Sequence, residues 1–187
     1  MIVAFGDSLF AGYGLAQGEG LAPALDRALA KNGVEAEVVN AGVSGDTSAA
    51  GLQRLVFTLD GQSRKPDLVI VGLGGNDMLR GISPEQTRQN LDSILAELKR
   101  RGIPAMLSGM VAAPNMGPDY ANEFNAIYGD LAKKYDVPLY PFTLEGVIGN
   151  SGLMLGDGIH PNARGVEIIS ERLAQTVETA LKANGAS

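Results

Sequence analysis

The stretch MIVAFGDSLF (1–10) contains the transition that decides the fold, from an apolar run into a small polar turn. Residues 2–5 suit a buried strand, whereas Gly6, Asp7 and Ser8 are typical of a turn that leads into a helix. A helix cap would account for Asp7 or Ser8 taken alone, because either side chain can accept a hydrogen bond from a backbone N–H group. The residues at the ends of the other apolar runs indicate whether this turn has a functional role besides capping a helix.

Apolar runs rich in β-branched residues alternate with stretches of helical period along the whole chain. The runs cover residues 2–5, 37–39, 68–73, 105–111 and 139–142. Helices are predicted over 22–30, 49–59 and 120–134. Two more are predicted, one starting near Pro84 and one near the C-terminus, because their apolar side chains recur on one helical face. Strands that are apolar on both faces are typical of a parallel sheet covered by helices. We therefore predict an α/β fold, an open three-layer α/β/α sandwich with a five-stranded parallel sheet, in a single domain over residues 1–187.

The composition excludes several kinds of function. A net charge of −6 disfavours a nucleic-acid partner, and the only basic run, residues 99–101, lies at the end of a predicted helix. The absence of cysteine excludes a thiolate nucleophile, and a single histidine, His160, excludes a multi-histidine zinc site. No apolar run approaches the roughly 20 residues of a membrane span. A mechanism that needs an imidazole must therefore use His160.

Small and polar residues come after four of the five predicted strands, and a parallel sheet brings its carboxyl ends to one edge, where α/β proteins bind ligands. Ser8, Gly45 and Asn76 come after the first three strands, and Asp157 and His160 precede the last helix. Acyl transfer needs a nucleophile, a base, a carboxylate that orients the base, and N–H donors for the oxyanion. Ser8, His160 and Asp157 would fill the first three roles, and Gly45 and Asn76 the last. The three-residue step from Asp157 to His160 allows a short turn to hold the carboxylate against the imidazole.

Each of these residues also has a plain structural interpretation as a cap, a turn or a loop carboxylate, but their combination favours hydrolysis. Three other classes of function stay open. A divalent cation held by Asp7, Asp77 and Asp157 could support phosphoester cleavage. A chelator would remove that cation and abolish the activity. A nucleotide-binding loop at 72–75 lacks the third glycine of its fingerprint, since Asp77 stands there. A carbohydrate-binding domain would usually present tryptophan, and the chain has none.

Four blocks of this sequence resemble, in order and spacing, those of the SGNH (GDSL) hydrolase family: Gly6-Asp7-Ser8-Leu9, Ser44-Gly45-Asp46-Thr47-Ser48, Gly74-Gly75-Asn76-Asp77 and Asp157-Gly158-Ile159-His160-Pro161. The resemblance covers the chain nearly end to end and is closest to a small bacterial branch of thioesterases, lysophospholipases and arylesterases. It implies a flavodoxin-like fold and a serine esterase with Ser8, Asp157 and His160 as catalytic triad. It also implies an oxyanion hole made by the Ser8 backbone N–H, Gly45 and Asn76, with Asp7 as a support of the turn.

The expected substrate is a small carboxylic ester with a short acyl chain, from acetyl to hexanoyl, and we expect no metal ion or other cofactor. Met78, Leu79, Met110 and Met116 are the apolar residues best placed to wall an acyl groove, although each also suits the core. The stretches 112–118 and 143–156 are too short to form a helical lid. An open, shallow groove buries few methylenes, each worth about 0.8 kcal/mol.

Two further questions stay open at the level of the sequence. Thioesters, acetylated sugars and lysophospholipids present the same reacting carbonyl as simple esters, so they remain alternative substrates. Because the first predicted strand begins at residue 2, we expect a periplasmic or secreted location if a leader has been removed, and a cytoplasmic one otherwise. The sequence gives no indication of the oligomeric state.

Overall fold

Five parallel strands form a single sheet in the computed structural model, which describes residues 1–185. The strands are β1 (Ile2–Gly6), β2 (Val38–Gly42), β3 (Leu68–Gly72), β4 (Ala105–Ser108) and β5 (Leu139–Tyr140). Their order across the sheet is β2-β1-β3-β4-β5, so the direction of winding reverses beside β1. The predicted α/β fold with a five-stranded parallel sheet is confirmed.

Helices cover both faces of this sheet. They are α1 (Ser8–Ala11), α2 (Leu21–Lys31), α3 (Ser48–Asp60), α4 (Gly75–Leu79), α5 (Pro84–Arg100), α6 (Pro118–Tyr135) and α7 (Ala163–Ala183), with one 3₁₀ helix at Pro114–Met116. Helix α2 packs against α7, whereas α3 packs against α5 and α5 against α6, which gives the two outer layers. Every residue of β1 and β3 is buried, as expected for strands between two helical layers. Over residues 1–185, no helix is both long and apolar enough to cross a membrane.

The strand ends differ from the predicted ones in ways that matter for the site. Strand β4 stops at Ser108 and not at residue 111; Gly109 still donates a backbone hydrogen bond to Tyr140 and accepts one from Thr143. Residues 111–113 lie outside the sheet. Strand β5 is only two residues long, and Pro141, which has no backbone N–H group, comes directly after it. Helices α1 and α4, which start within three residues of a strand end, are too short for a periodic pattern to reveal.

Three glycines form a row across the carboxyl edge of the sheet. Gly6 pairs in register with both Gly42 and Gly72. The Phe10 ring of α1 lies directly on this row, because an added Cβ would come within 2.5 Å of the ring at Gly6 and within 2.0 Å of it at Gly72. At Gly42 the added atom would meet the Ala11 backbone nitrogen at 2.2 Å. The glycine row therefore lets the helix that carries Ser8 lie flat on the ends of three strands.

Candidate active site

Ser8 is the first residue of α1, and the turn before it is fixed by its neighbour Asp7. Asp7 is the N-cap of the helix, and its Oδ1 atom accepts a hydrogen bond from the Leu9 backbone N–H at 3.1 Å. The Ser8 hydroxyl lies 2.8 Å from Nε2 of His160, a residue 152 positions further along the chain. The nucleophile and base predicted from the sequence are therefore in direct hydrogen-bond contact.

A tight turn before α7 holds the imidazole of His160 from its other side. Asp157 Oδ2 lies 2.6 Å from His160 Nδ1. Asp157 Oδ1 accepts from the backbone N–H groups of Ile159 and His160, at 2.9 and 3.0 Å. The hydrogen bonds from the backbone and then the side chain of His160 lower the pKa of Asp157 to about 2. The carboxylate thus stays ionised at neutral pH and orients the ring with Nε2 toward Ser8.

Gly45 and Asn76 come to the same place from two other strand ends. Gly45 adopts a φ of +86°, in the left-handed region that favours glycine, and its carbonyl accepts from Arg80 at 2.7 Å. Asn76 lies in the first turn of α4, and its side-chain amide donates to the Asp46 carbonyl at 2.9 Å. Ser8, Gly45, Asn76 and His160 all line one cavity. The structure therefore brings the two predicted oxyanion donors to the same cavity as Ser8.

This cavity has a volume of about 620 Å³ and mostly apolar walls. Met78, Leu79 and Met110 line it as predicted from the sequence, but Met116 does not, because the 3₁₀ helix places it against the core instead. Further wall residues were not predicted from the sequence, and these are Leu9, Val111, Ala112, Ala113, Pro114, Phe142, Leu144, Ile148 and Ile159. Several of them belong to the two stretches that appeared too short to form a lid. These stretches form side walls, so the groove is larger than the shallow one expected.

An aromatic side chain completes the surroundings of the imidazole. The Tyr13 ring lies 4.5 Å from that of His160, centroid to centroid, and is tilted by 37°. Tyr13 is 52 % exposed and lines the cavity mouth. It lies in the loop after α1, and nothing in the local sequence pattern distinguishes it from a surface tyrosine.

The carboxylates that suggested a metal site are each engaged separately. Burial raises the pKa of Asp7 to about 6, against the lowering effect of the Leu9 N–H group. Asp77 is fully buried and accepts from the backbone and hydroxyl of Ser48 and from the hydroxyl of Thr87. Asp157 belongs to the His160 turn. Among residues 1–185, no three acidic or histidine side chains converge on a point that suits a metal ion.

Comparison with known proteins agrees with this geometry. Residues 4–168 match the model of the GDSL-like lipase/acylhydrolase family. The chain is 44% identical to the esterase TesA of Pseudomonas aeruginosa over 160 residues, which are 86% of this chain and 79% of that protein. It is 41% identical to an Escherichia coli protein named as thioesterase, protease and lysophospholipase, over 95% of this chain and 83% of that one. The crystal structure of AlinE4, an SGNH-hydrolase family esterase, superimposes with a TM-score of 0.82 at 56% identity, covering 96% of this chain and 95% of that one.

Proposed function

The chain belongs to the GDSL-like lipase/acylhydrolase family and is a carboxylic ester hydrolase, and we propose that it works through an acyl-enzyme on Ser8 with a Ser8–His160–Asp157 triad. The observation that carries the proposal is the continuous chain of hydrogen bonds from Ser8 Oγ through the imidazole to Asp157, at 2.8 and 2.6 Å. A serine hydroxyl is a weak nucleophile unless a base removes its proton as it attacks, and His160 would be that base.

In the proposed first step, neutral His160 accepts the Ser8 proton at Nε2 while Ser8 Oγ bonds to the ester carbonyl carbon. The negative charge that forms on the carbonyl oxygen is stabilised by the Ser8 and Gly45 backbone N–H groups and by the Asn76 side chain. Asp157 stabilises the positive charge on the imidazolium. His160 then gives its proton to the departing alcohol, and the C–O bond of the ester breaks. The acyl group remains on Ser8.

The second step is the same chemistry with water as the nucleophile. His160 takes a proton from water, the hydroxide oxygen bonds to the acyl carbon, and the bond to Ser8 Oγ breaks as the proton returns to the serine. The carboxylic acid leaves, and the enzyme is restored without any co-reactant. The cavity beside Ser8 leaves space for water to enter after the alcohol has gone.

For the substrate, we propose simple carboxylic esters with acyl chains of short to medium length. The sequence predicts no helical lid, so we expect acyl chains that extend beyond the cavity walls to be disfavoured. The cavity volume of about 620 Å³ raises the expected upper limit of acyl chain length, because it is within the size range of drug-sized ligand sites and holds more than a hexanoyl group. Thioesters, lysophospholipids and acetylated sugars react at the same carbonyl, and the names of the Escherichia coli relative make the first two the closest alternatives.

Partitioning of the acyl group between water and hydroxylamine tests the acyl-enzyme. Esters of one acid with different alcohols all give the same intermediate, so the ratio of hydroxamate to acid should be the same for every leaving group. Ser8→Ala serves as the control for uncatalysed hydroxylaminolysis. A ratio that changes with the alcohol would show direct attack of water on the ester. Activity that disappears with a chelator would support the phosphoesterase type of metal chemistry instead.

A further inference from the structure

Arg54 in the second turn of α3 makes a set of contacts that the proposed mechanism does not use. Its Nη2 atom donates to the Gly6 carbonyl at 2.9 Å, and its Nε atom donates to Asp46 Oδ2 at 2.6 Å. The guanidinium also lies over the Phe5 ring, 4.2 Å from its centroid. Only about a fifth of the side chain is exposed. Arg54 thus lies beneath the active site, between the end of β1 and the loop after β2.

The two acceptors belong to the two segments whose relative position defines the oxyanion pocket. Gly6 lies two residues before Ser8, and Asp46 comes directly after Gly45. The Asp46 main-chain carbonyl accepts the hydrogen bond of the Asn76 side chain. Arg54 therefore joins the segment that carries Ser8 to the loop that carries Gly45, and this loop in turn accepts the hydrogen bond of Asn76.

The geometry of these contacts requires an arginine rather than any cation. A guanidinium is planar and presents its N–H donors in fixed directions, so it reaches a carbonyl and a carboxylate at once while it stacks on an aromatic ring. A lysine ammonium has no planar face, and its N–H donors are not held in fixed directions. It would keep the charge next to Asp46 but would not fix the distance between the loop and β1.

We propose that Arg54 is a positioning residue that holds the Gly45–Asp46 loop against the end of β1 and so sets the distance between Ser8 and the donors Gly45 and Asn76. The proposal rests on the proposed function of these residues. Arg54 touches neither the cavity nor the reacting atoms, since it is not among the residues that line the cavity. Its effect is on the transition state, because the donors must fit an oxyanion that exists only there.

The test is steady-state kinetics of Arg54→Lys and Arg54→Met beside a matched control, Arg101→Met. Arg101 is similarly buried, with 22 % of its side chain exposed, and is also ion-paired, with Asp60 and Glu97, but it lies before β4 at the opposite edge of the sheet. We expect both Arg54 variants to lose about 10- to 100-fold in kcat with KM nearly unchanged. Arg101→Met should keep the wild-type kcat even if its melting temperature falls as much as that of the Arg54 variants.

A double variant separates positioning from general stability. If Arg54 acts through the oxyanion pocket, Arg54→Met should cost little further kcat once Asn76→Ala has removed one donor, so the two losses should not multiply. Losses that multiply, or Arg54 variants that keep the wild-type kcat and only melt earlier, would overturn the proposal. If Arg54→Met does not fold, Arg54→Lys and Asp46→Asn give the same comparison with smaller changes. Failure of the proposed function is recognised separately, because Asn76→Ala and Ser8→Ala would then themselves stay active.

Discussion

At the scale of single residues, the Ser8 hydroxyl depends on partners that lie far away in the sequence. In the proposed mechanism, Ser8 and His160 depend on each other, because Ser8 supplies the bond-forming oxygen and His160 removes its proton. We expect Ser8→Ala and His160→Ala each to lower kcat by several orders of magnitude, up to about 10⁶-fold, and the double variant to be little worse than either. Losses that simply multiply would show that the two residues act independently.

A second prediction at this scale concerns Asp7 and stability. Burial raises the pKa of Asp7 from 3.8 to about 6, so the folded protein binds this proton more tightly than the unfolded chain does. The resulting stabilisation is complete below about pH 4 and is lost as the pH rises through 6, by up to about 3 kcal/mol. Asp7→Asn, which still caps α1 and is neutral throughout, should not show this loss. Urea unfolding of both proteins between pH 4 and 8 measures the difference, and parallel curves would contradict it.

The site residues differ in how far the sequence could reveal them. Ser8, Gly45, Asn76, Asp157 and His160 stand out because their chemistry is specific and each lies after an apolar run or before a helix. Arg54 and Tyr13 do not stand out, because their contacts are made across the fold and their residue types are common on surfaces. Met116 illustrates the opposite error, since an apolar residue near a strand end can turn into the core as easily as into a groove.

At the scale of elements, the carboxyl edge of the sheet is shaped by the glycine row under α1. Gly72→Ala should place a methyl group inside the Phe10 ring and lift α1, with a loss of about 1–3 kcal/mol of stability or more and a fall in kcat. Gly129→Ala is the matched control, because it lies within α6 with open space around it. That change should stabilise the protein by about 0.5–1 kcal/mol and leave kcat unchanged. Thermal unfolding and kinetics of the two variants test this, and equal behaviour would contradict it.

The longer elements were predictable, whereas the short ones that present the site were not. Helix α5 begins at Pro84 as predicted, with Ser83 as its N-cap, and its apolar stripe is buried. Helices α1 and α4 have four and five residues, which is less than the repeat that a hydrophobic pattern needs. The early end of β4 was equally invisible, because the apolar run continues into residues that wall the cavity.

At the scale of the whole molecule, the size of the cavity predicts which acyl chain lengths the protein accepts. Its walls come from several separate loops, so only the folded chain reveals their combined extent. With p-nitrophenyl esters of increasing length, kcat/KM should rise beyond the hexanoyl ester and fall for chains that outgrow the walls, with no jump at the micellar threshold. An optimum at acetyl would support the shallow groove expected from the sequence, and activation by micelles would indicate a lid.

The central claim, that Ser8 carries the acyl group, is tested most directly by locating a covalent label from a p-nitrophenyl phosphonate. The reagent undergoes the first step of the reaction but leaves a phosphonyl group that water removes very slowly. We predict release of one p-nitrophenolate per chain, complete loss of esterase activity, and a phosphonyl group on Ser8 in the peptide map, with no labelling of Ser8→Ala. A label on another residue that accompanies inactivation, or an enzyme that remains active and unlabelled in excess reagent, would contradict it.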